Sequence, residues 1–416
     1  MEIKKIDIAN FKGIDYLEFQ PGKINLITGR NNVGKTSLLE AINLISNEDK
    51  VQRRYEYPSQ VINARSAEAR IRAIIKTLDG EKTESIAFRR IDPRKTDIKK
   101  ELIKNLKEVI SRAVEFTPEI EKTLDETLNK TLTEDLIREL AYTNIIIDRN
   151  GKEKVYLSYR PRKVYQKLSG IVMAVAEKFR QEYAEKRQSI QVKDLKDRIP
   201  MKALFDPDFL LFSLTRADRT FEYRQKKQDP IILIKDLVLK GTEDVTEGDT
   251  LRIHQIEENI KTYGLVKNLE RFGVETILFK ENNGFTEISY AGMGDGFKAL
   301  IGLLWHLSSK DIKNKIILIE EPENHMHPGY IEQLVKIIVK FSEELDIQFF
   351  ITTHNIDFIE YFFNENLPAK EKRYLNTELQ VIKMEKTKNV NTLITTYNYS
   401  QAKNTLKEVL MDLRGT

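Results

Sequence analysis

The sequence contains no cysteine, which excludes disulfides, thiolate zinc sites and a zinc hook of the C-x-x-C type. Long apolar runs are also missing. No stretch approaches the ~18 to 20 residues of a membrane-spanning helix, and the charged start Met1-Glu2-Ile3-Lys4-Lys5 carries no signal-peptide core. Neither sign of charge dominates. The 68 Lys and Arg against 64 Asp and Glu leave a net charge of +4, too little to imply nucleic-acid binding by itself. Basic runs at 160–163 and 224–227 read as solvated faces. Histidine is scarce, at positions 254, 306, 325, 327 and 354, so imidazole chemistry has few candidates. A cytoplasmic chain with no membrane contact is expected. Its 416 residues are enough for two lobes and an insertion.

What is present is concentrated in four motifs. The first runs Gly29-Arg30-Asn31-Asn32-Val33-Gly34-Lys35-Thr36, a full match to G-x-x-x-x-G-K-[ST], followed by Ser37. Ile24, Leu26 and Ile27 before it read as a strand. Leu38, Leu39, Ala41, Ile42 and Ile45 after it recur at helical spacing. Strand, glycine turn and helix together cradle phosphates on inward-turned amides and a helix N-terminus. Lys35 is placed to reach β- and γ-phosphates, and the Thr36 hydroxyl to ligate Mg²⁺. The expected ligand is therefore a nucleoside triphosphate.

The second motif is Ile316-Ile317-Leu318-Ile319-Glu320-Glu321-Pro322-Glu323, a buried parallel strand ending in carboxylates. Glu320 is the expected metal-side group and Glu321 the expected general base. The third is Phe349-Phe350-Ile351-Thr352-Thr353-His354, a short strand ending in a histidine able to contact a γ-phosphate oxygen. The fourth, Ser289-Tyr290-Ala291-Gly292-Met293-Gly294-Asp295-Gly296, leads into a helix carrying Leu300, Leu303, Leu304 and Leu307. It is a second helix start able to meet an anion.

In this order the four motifs resemble an ABC-type ATPase. Ile8-Ala9-Asn10-Phe11-Lys12-Gly13 and the Glu-Glu-Pro-Glu-x-His-x-His-Pro stretch are similar to the SMC/RecF/OLD branch, the OLD-like AAA-15/AAA-21 type most of all. The resemblance covers residues 1 to 91 and 265 to 365. It implies an α/β fold: a two-lobed ABC-type P-loop ATPase head with mixed sheets and an α-helical insertion. It also implies ATP and Mg²⁺ as ligands, with Asn10, Phe11 and Lys12 on the adenine side. Ser289, Gly292, Gly294 and Gly296 would then meet the nucleotide of a second copy. Two departures stand out: Glu320 replaces the usual Asp, and the adjacent Ser-Gly-Gly of transporter ATPases is missing. No Q-loop glutamine is singled out, though Gln60 is available.

The domains expected are lobe I at 1–95, a mainly helical insertion at 96–200, lobe II at 201–372 and a C-terminal αβ tail at 373–416. Helices are expected at 98–113, 118–140 and 162–188, a hairpin around Asn150-Gly151, and a strand at 209–212. Only 62 residues follow His354, and they lack the acidic pattern of a Toprim nuclease. The chain is accordingly expected to act as an ATP-driven switch in DNA repair or phage defence. It would form a homodimer or higher homo-oligomer and act on DNA or on a separate nuclease-type effector. The alternative is an ATP-binding scaffold that turns over rarely.

Overall fold

The computed structural model describes residues 1–48, 50–51, 55, 57–101, 104, 122, 126, 133–156, 229–239, 249–282, 284–309, 311–324, 326–387 and 391–413. The helices expected at 98–113 and 162–188, the strand at 209–212 and His325 lie wholly or largely outside these residues.

In chain order the elements begin with β1 (Glu2–Phe11), β2 (Ile14–Phe19), β3 (Ile24–Thr28) and α1 (Lys35–Ser46). Next come β4 (Glu68–Thr77), β5 (Gly80–Arg90), α2 (Glu134–Thr143), β6 (Ile145–Arg149) and β7 (Lys152–Tyr156). After them stand β8 (Ile231–Ile234), α3 (Thr250–Thr262), β9 (Leu269–Arg271), β10 (Thr276–Glu281) and β11 (Gly284–Ser289). The series continues with α4 (Asp295–Leu307), β12 (Ile316–Glu320), α5 (Pro328–Leu345) and β13 (Gln348–Thr352). It closes with α6 (Ile356–Tyr361), α7 (Ala369–Glu378), β14 (Leu379–Lys386), β15 (Thr392–Asn398) and α8 (Tyr399–Leu413). The chain divides into two compact units. One holds Met1–Ser46, Ile71–Ser85 and Asp229–Thr416, the other Asn47–Arg70 and Ile86–Gln228.

The first unit is built on a sheet of order β15-β14-β3-β13-β12-β8. Its four inner pairings from β14 to β8 are parallel, and β15 closes the edge antiparallel to β14. Sequence explains this choice: Ile24–Thr28 and Gln348–Thr352 are buried at every position, as strands covered on both faces must be. α5 contributes the stripe Ile331, Leu334, Val335 and Ile338, spaced for one helix face, to the same core. A small antiparallel sheet, β9-β10-β11, leads through a 3₁₀ turn at Tyr290–Gly292 into α4. β1 and β2 form an antiparallel pair in the same unit.

In the second unit, Ile86–Arg90 pairs with β6, and β6 turns back into β7 through Asn150 and Gly151. Both turn residues have positive φ, 51° and 83°, as a tight hairpin of this hand requires. The hairpin expected within a helical insertion is thus part of a sheet. The helix expected over 118–140 is also corrected: Thr133 is extended (φ −78°, ψ 155°), and its hydroxyl accepts the Leu136 N–H at 3.4 Å. That cap starts a separate helix, α2.

Two buried amides tie the first unit together. Gln348 is fully buried; its Oε1 accepts the Ile3 N–H at 2.8 Å, and its Nε2 donates to the Ile3 and Gly22 carbonyls at 2.9 and 2.8 Å. Asn25 accepts the Gly22 N–H and donates to the Gly22 and Phe349 carbonyls, each at 2.9 Å. Replacing Gln348 by leucine removes the side-chain partner of the Ile3 amide and carbonyl in the interior and leaves Asn25 as the remaining side-chain donor to the Gly22 carbonyl. The expected cost is about 2 to 4 kcal/mol, read as a lowered urea midpoint with an unchanged slope. An unaltered midpoint would show that these bonds contribute nothing net.

Candidate functional site

Register puts the chemistry at one level. Ile27 stands opposite Thr352, and Thr352 opposite Glu320, so β3, β13 and β12 end side by side. Ligands of open α/β sheets gather at these carboxyl ends. The P-loop leaves β3 at Thr28 and turns through Gly29 (φ 143°), Asn32 (φ 65°) and Gly34 (φ 111°). At Gly29 a Cβ would stand 2.2 Å from the Met384 carbonyl oxygen of β14, so only glycine fits. Arg30, Asn31 and Asn32 are exposed, Val33 is buried as the anchor, and the Leu38 N–H to Gly34 carbonyl bond (2.9 Å) opens α1. Ser37 is half-buried in its first turn.

Lys35 is 7% exposed and donates to the carbonyls of Gly29 at 2.7 Å and Arg30 at 3.1 Å. Burial lowers its pKa from the usual lysine value, against the opposing pull of Glu321, Glu323 and Glu320. The Thr36 hydroxyl donates to Glu320, a contact between residues 284 apart in sequence. A hydroxyl and a carboxylate already paired at a P-loop suit Mg²⁺, which takes few protein ligands and shares phosphate oxygens. Among the described residues no cluster of three His, Asp or Glu forms a separate metal cage.

Glu321 has φ 45° in a position preceding Pro322, a conformation few glutamates adopt. Its N–H donates to the Thr352 carbonyl at 3.0 Å, its Oε2 accepts from Asn324 at 3.1 Å, and its Oε1 lies 3.0 Å from His354 Nδ1. Burial pushes its carboxyl up, but the bonds from Asn324 and His354 and the charges of His354 and Lys35 outweigh that and leave it below its ordinary value. Glu321 therefore stays ionised and able to take a proton.

Asn324 and Glu40 escaped the sequence reading, and Glu323 was visible there as part of the acidic motif but not as a buried group. Asn324 orients Glu321. Glu40, 6% exposed on α1, holds Lys12 at 2.5 Å and Lys235 at 3.7 Å. Glu323 is 2% exposed and accepts from the Thr353 hydroxyl. A carboxylate on a P-loop helix and an extra glutamate after Glu-Pro look like ordinary surface charge in sequence; only the fold buries them.

Some expected contacts fall elsewhere. Phe11 is fully buried, so its ring is core packing and offers no face to a base. Gly296 is buried too, its Cβ position 2.9 Å from the Tyr330 ring, and serves the packing of α4 on α5. Asn10 near the end of β1 and Lys12 in the turn to β2 both have positive φ, 55° and 51°. Ser289, Gly292 and Gly294 are exposed at the approach to α4, and no described hydrogen bond joins them to the P-loop.

A family model described as "AAA domain, putative AbiEii toxin, Type IV TA system" (AAA_21) matches residues 24–360, from the P-loop strand to beyond His354. The chain belongs to this family. It has an α/β fold with mixed sheets, and stretches of its sequence are similar to RecF and to ABC-type ATP-binding proteins. The DNA replication and repair protein RecF of Clostridioides difficile is 29% identical over 128 residues, covering 29% of this chain and 32% of that protein. RecF of Nitrosococcus oceani is 33% identical over 91 residues, covering 21% and 24%. The chain thus spans a third or less of the length of these curated relatives. An SMC head domain from Thermotoga maritima aligns over 95% of this chain and 99% of its own, at 12% identity and a TM-score of 0.43.

Burial raises the Glu323 carboxyl to about 7. Between the ordinary glutamate value and about 7, native Glu323 holds a proton that the unfolded chain has released, so this residue makes stability fall as pH rises. Glu323→Gln keeps the acceptor for Thr353 and removes the titration. Its urea midpoint is expected to change less between pH 5 and pH 8 than that of the parent chain. Parallel pH profiles would show that Glu323 titrates normally.

Proposed function

We propose that this chain is an ATP-binding and ATP-hydrolysing switch that closes around nucleotide as a homodimer or higher homo-oligomer. The observation that supports this most is the convergence of Lys35, the Thr36–Glu320 pair and the Glu321–His354 pair at three adjacent strand ends. Lys35 turns from its loop carbonyls to the β- and γ-phosphates, which the backbone of Gly29 to Gly34 also cradles. Thr36 and Glu320 would hold Mg²⁺, whose charge would offset that of the phosphates. Glu321 accepts the proton of the water that attacks the γ-phosphorus while the bond to the β-phosphate oxygen breaks. His354, with Nδ1 toward Glu321, meets a γ-phosphate oxygen through Nε2.

The signature acts across two copies. Gly292 and Gly294 have ordinary negative-φ or unrestricted backbones, and a Cβ at either would meet nothing within 4 Å. Their own fold does not demand glycine, so the reason lies in what approaches them. The phosphate end of a nucleotide held by a second P-loop fits that demand, with Ser289 beside it. The switch controls DNA or a separate nuclease-type effector in repair or defence. Similarity to a DNA replication and repair protein and to a family named for a putative toxin supports this range of outputs.

Glu321→Gln keeps size and hydrogen bonding but cannot accept a proton, so turnover should fall by a factor on the order of 10² to 10⁴ with ATP affinity retained. A normal rate would remove Glu321 from the base role. Gly294→Leu should leave folding and ATP binding intact and abolish ATP-induced association in light scattering. Association at the parental level would refute the shared site.

A further inference from the structure

Two backbone segments carry the residues of the proposed reaction: 320–324 after β12, and 352–355 after β13. The β12–β13 ladder and the bond from the Glu321 N–H to the Thr352 carbonyl hold them in register only as far as Glu321. The Glu321–His354 contact joins side chains that are 26% and 51% exposed. A pair that open to water is worth little and cannot fix a geometry alone.

The buried link lies two residues after Glu321 and one residue before His354. Glu323 is 2% exposed and Thr353 fully buried, and the Thr353 hydroxyl donates to Glu323 Oε1. The same hydroxyl accepts the Asn355 N–H at 3.0 Å. Asn355 in turn caps α6, its Oδ1 accepting the Phe358 N–H at 3.2 Å. The residues immediately before and after His354 are thereby anchored to the acidic segment. Thr353 N–H donates to the Ile27 carbonyl at 3.0 Å, which ties the same turn to the P-loop strand. Glu323 Oε2 is buried with no hydrogen-bond partner among the described residues, a cost an apolar side chain would avoid. Stability alone does not account for a carboxyl here.

We propose that Glu323 is a positioning residue: through Thr353 and Asn355 it locks the His354 turn to the acidic segment, so that Glu321 and His354 face the γ-phosphate as one unit. This rests on the ATPase reading above. Glu323 itself touches neither nucleotide nor water; its effect passes through the turn.

The test uses the full chain with Glu323→Ala, Glu323→Gln, Thr353→Val and the Glu323→Ala/Thr353→Val pair, read by amide hydrogen exchange and by steady-state ATP hydrolysis. In Glu323→Ala, exchange from His354 to Phe358 should quicken about tenfold or more while α5 stays protected, which separates local release from global loosening. Its kcat should fall about tenfold or more with KM for ATP within about twofold, the mark of lost transition-state geometry. Glu323→Gln, which keeps the acceptor, should match the parent in both readouts. The double variant should be no worse than Glu323→Ala, because both changes break one link. Unchanged exchange in Glu323→Ala, or equal damage in Glu323→Gln, overturns the proposal. A parent chain that binds ATP without turnover would end the ATPase reading, and the exchange arm would still decide whether Glu323 holds the turn.

Discussion

The register of β3, β13 and β12 is the constraint on which the site depends. Thr28, Thr352 and Glu320 emerge at one level only because Ile24 pairs with Phe349 and Ile316 with Gln348. A slip of one residue in any pair would turn each strand's side chains to its other face and carry Glu320 away from Thr36. Apolar burial alone does not prevent such slips here, since these strands are buried on both faces. The polar side chains of Gln348 and Asn25 supply direction: each has a fixed set of backbone partners that a shifted strand would abandon.

Charge is the second organising term. Glu320, Glu321 and Glu323 crowd the end of β12, facing one buried ammonium at Lys35. Three ionised carboxylates in that space would repel. The conflict is resolved by giving each a different environment: Glu320 pairs with the Thr36 hydroxyl, Glu321 is held ionised by Asn324 and His354, and Glu323 is buried deeply enough to retain its proton near neutrality. The left-handed backbone at Glu321 is part of the same arrangement. It turns the carboxylate out of the strand direction, and the Thr352 carbonyl satisfies the amide that this turn exposes.

The P-loop, the acidic strand and the strand-end histidine could be read from sequence because each joins a short apolar run to a distinctive polar end. β8 could not: Ile231–Ile234 is four apolar residues between charged ones, and nothing local marks it as the partner of β12. Among site residues, Lys35, Thr36, Glu320, Glu321 and His354 stood out by motif. Glu40 and Asn324 did not, and the burial of Glu323 did not either, since a buried or orienting carboxyl or amide is defined by what lies across from it. Phe11, placed on the adenine side by the resemblance alone, is fully buried, and burial of this kind is not visible in a local motif.

The strand order has a consequence for how such a chain is made. β3, which carries the P-loop, is flanked on one side by β13 and on the other by β14, so its two neighbours come from residues 348–352 and 379–386. A ribosome would emit the phosphate-binding sequence first and its supporting strands last. For most of synthesis the loop has no sheet to hold it, and the close approach of Met384 that demands glycine at position 29 does not yet exist. Contacts this distant in sequence form slowly, because the whole intervening chain must be gathered before they repay the loss of freedom. Nucleotide cannot stabilise early intermediates of such a protein. It can act only as a late clamp on a chain that has already brought β3 together with β13 and β14.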